Sequence, residues 1–481
     1  FGMDQAKQLA LAAIAEKEET VLRVSDEIWD YAELSLQEFR SSELYCRTLE
    51  AEGFCVQRAL CGIETAFAAS FGSGRPHIGV LAEYDALSGL SQEAGALEKK
   101  ERVPGGSGHG CGHNLLGAGA LAAALGVKAY LERTGHAGTV TLYGCPGEEG
   151  GAAKAFLARD GLWRQLDAAL TWHPGDCSEV VTGGSNACIQ VQYTFHGVSS
   201  HAAASPELGR SALDAVELMN IGVQFLREHM STDCRVHYAV LDTGGRSPNV
   251  VQSSASVLYL VRSKHVREAV QLQARVDKIA SGAAQMTETT FARKFIDGLA
   301  DTLSNHTLEA VLYENFKALG VPAYTPEELQ FAKALAATYE NSAVPGIGSR
   351  ESADYRRLVQ TLQEASGRAM NDFLLPRYTG DAFEPGSTDV GDVSWLCPTV
   401  QCHVASIPNG CPGHSWQVVS CGRTTIGKKA AMHAGRVLAC TAVELFERPE
   451  LLQQAQEEFR RASADGYVCP IPPDAVPVCP D

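Results

Sequence analysis

The sequence predicts an α/β protein, a mostly parallel sheet with helices on both faces, into which a ferredoxin-like α+β domain is inserted. Three observations predict it. Short apolar runs at 78–82, 140–143 and 168–172 alternate with helical stretches, the rhythm of a parallel sheet. Near residue 186 that rhythm changes to β-α-β-β-α-β, the order of a ferredoxin-like sandwich. Residues able to hold metal follow the carboxyl ends of the first strands or enter the next helix, the edge at which open α/β sheets bind ligands.

Amphipathic helices over 7–29 and 41–52 are expected to cover a sheet edge. The strand 78–82 runs into Glu83-Tyr84-Asp85-Ala86-Leu87. A polar, glycine-rich loop over 92–108 delivers the chain to Gly108-His109-Gly110-Cys111-Gly112-His113-Asn114, and an Ala- and Leu-rich helix follows over 115–131. The strand 140–143 ends in Gly144-Cys145-Pro146-Gly147-Glu148-Glu149-Gly150-Gly151, and a helix spans 152–160. The strand 168–172 ends at His173-Pro174. In the inserted stretch, strands are expected at 189–195, 235–242, 255–262 and 287–295, with helices at 212–229 and 266–284. Helices then return at 302–319 and 327–339. A strand at 399–404 and a long helix at 424–447 complete the first sheet, and the tail after Pro449 ends in a coil containing Pro and Cys. The expected division is a catalytic domain over 1–185 and 299–448, a lid and dimerisation domain over 186–298, and a tail over 449–481.

The 481 residues are long enough for two or three cores, and 45% hydrophobic with 20% charged is an ordinary globular balance. A net charge of -17 argues against nucleic acid and anionic membrane as main partners. No apolar run is read as reaching the roughly 20 residues of a membrane span. The polar start at Met3-Asp4-Gln5 lacks a signal-peptide apolar core. Fifteen cysteines are odd in number and scattered, several in apolar elements (Cys188, Cys402, Cys440), where the thiol packs as a small hydrophobe. A cytoplasmic, reduced protein is expected, with Cys111 alone in a chemical context.

Cys111 and His113 offer sulfur and nitrogen one residue apart. That spacing is too tight for one helical face and suits a glycine turn around an ion. Glu148 and Glu149 repel each other as neighbours; a metal lets one ligate while the other handles protons. His173 closes an apolar strand, and His414 stands in Pro412-Gly413-His414-Ser415-Trp416. His403 competes with it from inside a strand.

These pieces resemble the aminoacylase and glutamate-carboxypeptidase superfamily of di-metal amidohydrolases, in the branch of bacterial p-aminobenzoyl-glutamate hydrolase B subunits and plant auxin-conjugate hydrolases. The resemblance also takes in Gly197-Val198-Ser199-Ser200-His201-Ala202, Pro248-Asn249-Val250-Val251 and Ser387-Thr388-Asp389-Val390, all in family order. It implies Cys111, His113, Glu149, His173 and His414 as metal ligands, with the Cys111 thiolate able to bridge two ions. It implies Glu148 as general base. His201 would reach the neighbouring subunit's site and stabilise the oxyanion, Asn249 and Arg262 would hold the substrate's carbonyl and carboxylate, and Asp85 would be an outer-shell carboxylate. The implied cofactor is one or two divalent ions, zinc or manganese. The implied substrates are N-acyl or N-aroyl amino acids, p-aminobenzoyl-glutamate first, with dipeptides or general N-acyl amino acids as the alternative. The implied assembly is a homodimer, or a heterodimer with a related subunit, through the lid. One departure stands out: other branches have histidine where this chain has Glu83, and an aspartate bridge where it has Cys111.

Two further classes compete. A nucleotide-binding oxidoreductase would need G-x-G-x-x-G directly after a strand, but Gly110-Cys111-Gly112-His113-Asn114-Leu115 ends in leucine and follows a loop. A silent partner subunit would have lost the base or two ligands, and this chain keeps them.

Overall fold

The computed structural model describes residues 3–341, 343–346 and 352–479. Its strands in chain order are β1 (Cys55–Arg58), β2 (Phe67–Ser73), β3 (His77–Ala82), β4 (Gly138–Gly144), β5 (Ala168–Gly175), β6 (Glu179–Val180), β7 (Gly184–Ser185), β8 (Ala187–His196), β9 (Arg235–Asp242), β10 (Ser254–Ser263), β11 (Thr290–Leu299), β12 (Phe383–Glu384) and β13 (Thr399–Ala405). The large sheet runs β1-β2-β4-β3-β5-β13-β6. Its centre, β4-β3-β5-β13, is parallel, while β1, β2 and β6 join antiparallel at the two sides. Only the centre has crossover helices, and those are what a parallel connection requires.

Alternation along the central strands sends side chains to both faces. Val80, Leu142 and Leu170 point to a core shared with the helices His113–Thr134 and Thr425–Glu447. Leu81, Tyr143 and Ala169 point to the opposite core, with Phe156, Trp163 and Leu396. The helix His113–Thr134 is long and apolar enough to cross a membrane by length and composition. This corrects the expectation that no stretch approaches that length. In the fold it is the central helix of the first core, with 89% of its most apolar window buried. Gly119 lets it lie close to the sheet. A Cβ at Gly119 would stand 2.5 Å from Trp172 Nε1, and that ring nitrogen donates to Leu116 O at 2.9 Å. Gly119→Ala is therefore expected to destabilise the protein by about 1–3 kcal/mol through overpacking, read as a lower thermal midpoint.

The expected N-terminal helix breaks at Lys17 into Met3–Glu16 and Glu18–Tyr31. Neither covers a sheet edge. Ala10, Ile14, Val21 and Ile28 are buried in the first core, stacked on the central helix. The tail after Pro449 ends in coil as expected, but it starts as a helix. Pro449–Ala462 is a helix, and Tyr467 and Ile471 join the second core, where Tyr467 donates to Asp392 at 2.5 Å.

The inserted stretch forms a second sheet, β11-β8-β10-β9, antiparallel throughout. The helices Ala212–Leu226 and Val266–Thr287 pack on one face of it, around Val191, Tyr193, Val257 and Tyr259. β9 is an edge strand.

Candidate metal centre

Five segments at the carboxyl edge of the large sheet meet at one place. β3 releases Glu83 and Asp85. The loop from Leu87 to Gly108 is closed by two backbone hydrogen bonds between those residues, both 2.9 Å, and it presents Cys111 and His113 at the start of the central helix. Gly112 takes φ +69° at that entry, a left-handed conformation that favours glycine. The loop after β4 brings Glu148 and Glu149, and the end of β5 brings His173. The late loop is tied in by His414 N, which donates to Gly110 O at 3.1 Å. A side chain at Gly110 would collide with Leu90, its Cβ 2.4 Å from Leu90 Cδ1.

Cys111, His113 and His173 place their ligand atoms within 4.8 Å of one another, as do Cys111, Glu149 and His414. Cys111 is common to both sets. Its Sγ lies 3.5 Å from His173 Nε2, and His414 Nε2 lies 3.4 Å from Glu149 Oε2. The buried His113 and the half-buried His173 imidazoles are oriented alike. His113 Nδ1 donates to Asp85 Oδ1 at 2.8 Å and His173 Nδ1 to Pro174 O at 2.7 Å, so each turns Nε2 inward. Fixing one ring nitrogen in this way selects the tautomer that leaves the other free to ligate. Asp85 is itself held by Ser35 Oγ at 2.7 Å and by Glu149 N at 2.9 Å.

The electrostatics follow from the crowding. Burial pushes the Glu148 carboxyl well above the ordinary carboxylate range, and the neighbouring Glu83 and Glu149 add to the rise. Burial acts on Glu149 too, but the His414 hydrogen bond and the His113 charge outweigh it and hold its carboxyl low. Two adjacent glutamates thus differ: one favours its proton, the other its charge. Burial, then His113, lowers the His173 imidazole to about 4, which keeps it neutral and able to ligate. Burial also raises the Cys111 thiol; a coordinated thiol, by contrast, is deprotonated outright. Glu83 Oε2, His113 Nε2 and Glu149 Oε1 are buried without a hydrogen-bond partner among the described residues. Orphaned acceptors around a sulfur and imidazoles fit a divalent cation, and the mixed S, N and O donors suit zinc, with manganese served by the carboxylate and imidazole part.

Beside the cluster opens a cleft of about 430 Å³, lined by Glu148, His173, Glu179, Phe383, Thr388 and His403 among others. His403 pairs in register with His173 across β13 and β5 and holds Glu179 Oε1 at 2.9 Å. It is therefore separate from the His414 position. Of the small-domain residues, His201 and Asn249 do not line the cleft. His201 and Asn249 are exposed and close together, linked by the His201–Val250 bridge and by Ala202 N donating to Asn249 O at 2.9 Å. Arg262 on β10 donates to Ser387 Oγ at 2.9 Å, next to the Thr388 wall of the cleft.

Sequence reasoning missed Lys154. It is fully buried and donates to Glu83 Oε1 at 2.7 Å and Asp389 Oδ1 at 2.9 Å. The signal was a lone charge in the apolar run Ala152-Ala153-Lys154-Ala155-Phe156-Leu157. His109, part of the cysteine motif, is instead a core histidine 3.0 Å from Ile28 O.

The profile of peptidase family M20/M25/M40 matches residues 79–382. The chain belongs to that family. It is accordingly a metal-dependent hydrolase. It is 45% identical over 465 residues to the B subunit of p-aminobenzoyl-glutamate hydrolase from Escherichia coli (strain K12), covering 94% of this chain and 95% of that protein. It is 26% identical over 472 residues to the Xaa-Arg dipeptidase of Mus musculus, covering 95% and 93%. Among solved structures, a dinuclear metal-binding peptidase of the M20 family from Bacillus subtilis superposes with a TM-score of 0.56 at 17% identity, over 90% of this chain and 99% of that one. The aminobenzoyl-glutamate utilization protein of Klebsiella pneumoniae superposes with 0.58 at 16%, over 90% and 98%. These two likenesses show the shared fold, inserted sheet included.

Proposed function

We propose that this chain hydrolyses the amide bond of N-acyl or N-aroyl amino acids, p-aminobenzoyl-glutamate first, at a divalent-cation centre held by Cys111, His113, Glu149, His173 and His414. The observation that carries the reading is the convergence of these five side chains, with the His113 and His173 imidazoles anchored at Nδ1 and turned inward. The substrate rests on the full-length likeness to the Escherichia coli hydrolase. The name of the mouse relative supports a dipeptidase as the second reading.

A bound cation of this type supplies a nucleophile at neutral pH by lowering the pKa of water from 15.7 to about 7. Glu148, beside that position, takes the proton and passes it to the nitrogen of the leaving amine. Asp85 keeps His113 in the ligating tautomer. Arg262 offers a planar fork to a carboxylate at the cleft wall, and Asn249 an amide to the substrate's carbonyl. His201 reaches the neighbouring subunit's site and donates to the oxyanion there.

The lid is proposed as the dimer contact, with a second copy or a related subunit. The relatives named as the A and B subunits of one hydrolase support a heteromeric partner. The lid's own surface supports this face: Val240 and Leu241 are exposed on the edge strand β9, and Ile221 and Phe225 on a helix. An open strand edge with apolar neighbours favours pairing. A cytoplasmic setting is proposed from the cysteines, none of which forms a disulfide among the described residues.

The test starts from purified protein, its metal content measured, offered a panel of acyl-amino acids and dipeptides. Turnover of p-aminobenzoyl-glutamate above the others is expected; faster turnover of dipeptides replaces the reading with the dipeptidase. Chelation should abolish turnover and lower the thermal midpoint, since a ligand at 100 times its Kd contributes about 2.7 kcal/mol. Zinc or manganese added back should restore both. An unchanged midpoint and rate after complete chelation would remove the metal centre.

A further inference from the structure

Lys154 and its two carboxylates are not a symmetrical core ion pair. Asp389 has both oxygens satisfied: Oδ1 by Lys154 Nζ at 2.9 Å and Oδ2 by Lys154 N at 3.1 Å. Glu83 has only one. Its Oε1 accepts from Lys154 Nζ at 2.7 Å, while Oε2 is buried with no hydrogen-bond partner among the described residues and lies 3.2 Å from His113 Nε2. A buried carboxylate with an orphaned oxygen is costly unless a cation or donor meets it. Glu83, His113 and Glu148 also bring their ligand atoms within 4.8 Å of one another, so Oε2 faces the side of the centre to which His113 turns Nε2.

The clamp that holds Glu83 is rigid. Lys154 stands in the first turn of the helix Ala153–Arg159, which follows Ala152 at φ 50°, and its carbonyl accepts from Trp163 Nε1 at 3.0 Å. With its ammonium shared between two carboxylates, the lysine has no freedom to rotate away. It sets which Glu83 oxygen is occupied, and therefore which is presented.

We infer that Glu83 is an additional anionic oxygen donor to the divalent cation at the His113 position, and that Lys154 is the positioning residue that pins one Glu83 oxygen so that the other faces the ion. The inference rests on the reading of the cluster as a cation centre, and it concerns donor geometry rather than substrate.

The experiment strips the full-length protein of metal and titrates it with Zn²⁺ against a chromophoric chelator. The visible spectrum of the Co²⁺-loaded protein reports the donor set, and circular dichroism controls for folding. Glu83→Gln keeps the shape but loses the anionic donor. Cation affinity on the His113 side should fall about 10- to 100-fold, with a changed Co²⁺ spectrum. Asp389→Asn leaves Lys154 on Glu83, so the Co²⁺ spectrum should stay as in the wild type. Lys154→Met combined with Asp389→Asn releases Glu83 without leaving an unpaired aspartate, and should shift the spectrum as Glu83→Gln does. Wild-type affinity and spectrum in Glu83→Gln overturn the inference. So does a spectrum in Asp389→Asn as altered as that of Glu83→Gln, because local charge rather than Glu83 geometry would then be responsible. A folded double variant with the wild-type spectrum removes the role of Lys154; if the double variant does not fold, the two single variants decide. Wild-type protein that binds ions but leaves p-aminobenzoyl-glutamate intact fails the substrate reading and leaves this inference standing, whereas wild-type protein that binds no divalent ion overturns both.

Discussion

Glu148→Gln is expected to lower kcat by about 10²- to 10⁴-fold while leaving the fold and the bound cation in place. The side chain is 13% exposed, at the mouth of the cleft beside the ligand cluster. Burial and the charges of Glu83 and Glu149 lift its carboxyl, so it binds a proton more readily than an ordinary glutamate. That is the property a group needs if it is to accept a proton from water and return it to an amine. Glutamine keeps the shape and the polarity but cannot carry the proton. The matched control is Glu149→Gln, which should lower cation affinity first, because Glu149 shares a ligand set with Cys111 and His414. Release of p-aminobenzoate and metal content, measured on the same samples, separate the two. A Glu148→Gln protein that turns over near the wild-type rate is not missing its base, and another group then has that role.

His201→Ala should cost about 10²- to 10³-fold in rate, the effect of removing one oxyanion donor. In its own chain His201 is exposed on the lid, its Nδ1 accepting from the backbone N–H groups of Ala203 and Ala204 at 3.2 and 3.1 Å. That leaves Nε2 to project outward. If His201 completes the site of a second subunit, mixing inactive His201→Ala with inactive Glu148→Gln under subunit exchange should restore part of the activity. Each mixed dimer then has one site with both residues intact. The closed point symmetry of most dimers makes this reciprocal arrangement possible. Exchange proven by mass spectrometry without recovered activity places His201 in its own subunit's site or in none.

The sequence carried different parts of this protein unequally. Strand and helix types were legible because apolar residues recur with the period of each element; β9 falls on 235–242 as read, and most other elements differ by a few residues at their ends. The inserted sheet was legible because its order of elements is itself the topology. Less legible were elements whose type depends on neighbours. Lys17 breaks the N-terminal helix although its flanks keep the apolar rhythm, and the helix Pro449–Ala462 lies in a stretch read as tail. The flanking strands β1, β2 and β6 were not read from the sequence at all, and their antiparallel direction belongs to the chain's return path and not to the strands' own residues.

The site divides along the same line. Cys111, His113, Glu148, Glu149, His173 and His414 could be named from the sequence because residue type is a local property and because the motifs that carry them resemble those of a known family, in order. That Cys111 stands in two ligand sets, that it is His113 whose Nδ1 Asp85 holds, and that Glu148 and Glu149 are driven to opposite proton affinities came only from the tertiary structure. The lysine was visible as an oddity in an apolar run, but its meaning was not, because Glu83 and Asp389 lie 71 and 235 residues away along the chain. Proton affinity and ligand geometry arise from burial and from charges within a few ångströms, and distances of that kind exist only once the chain has folded.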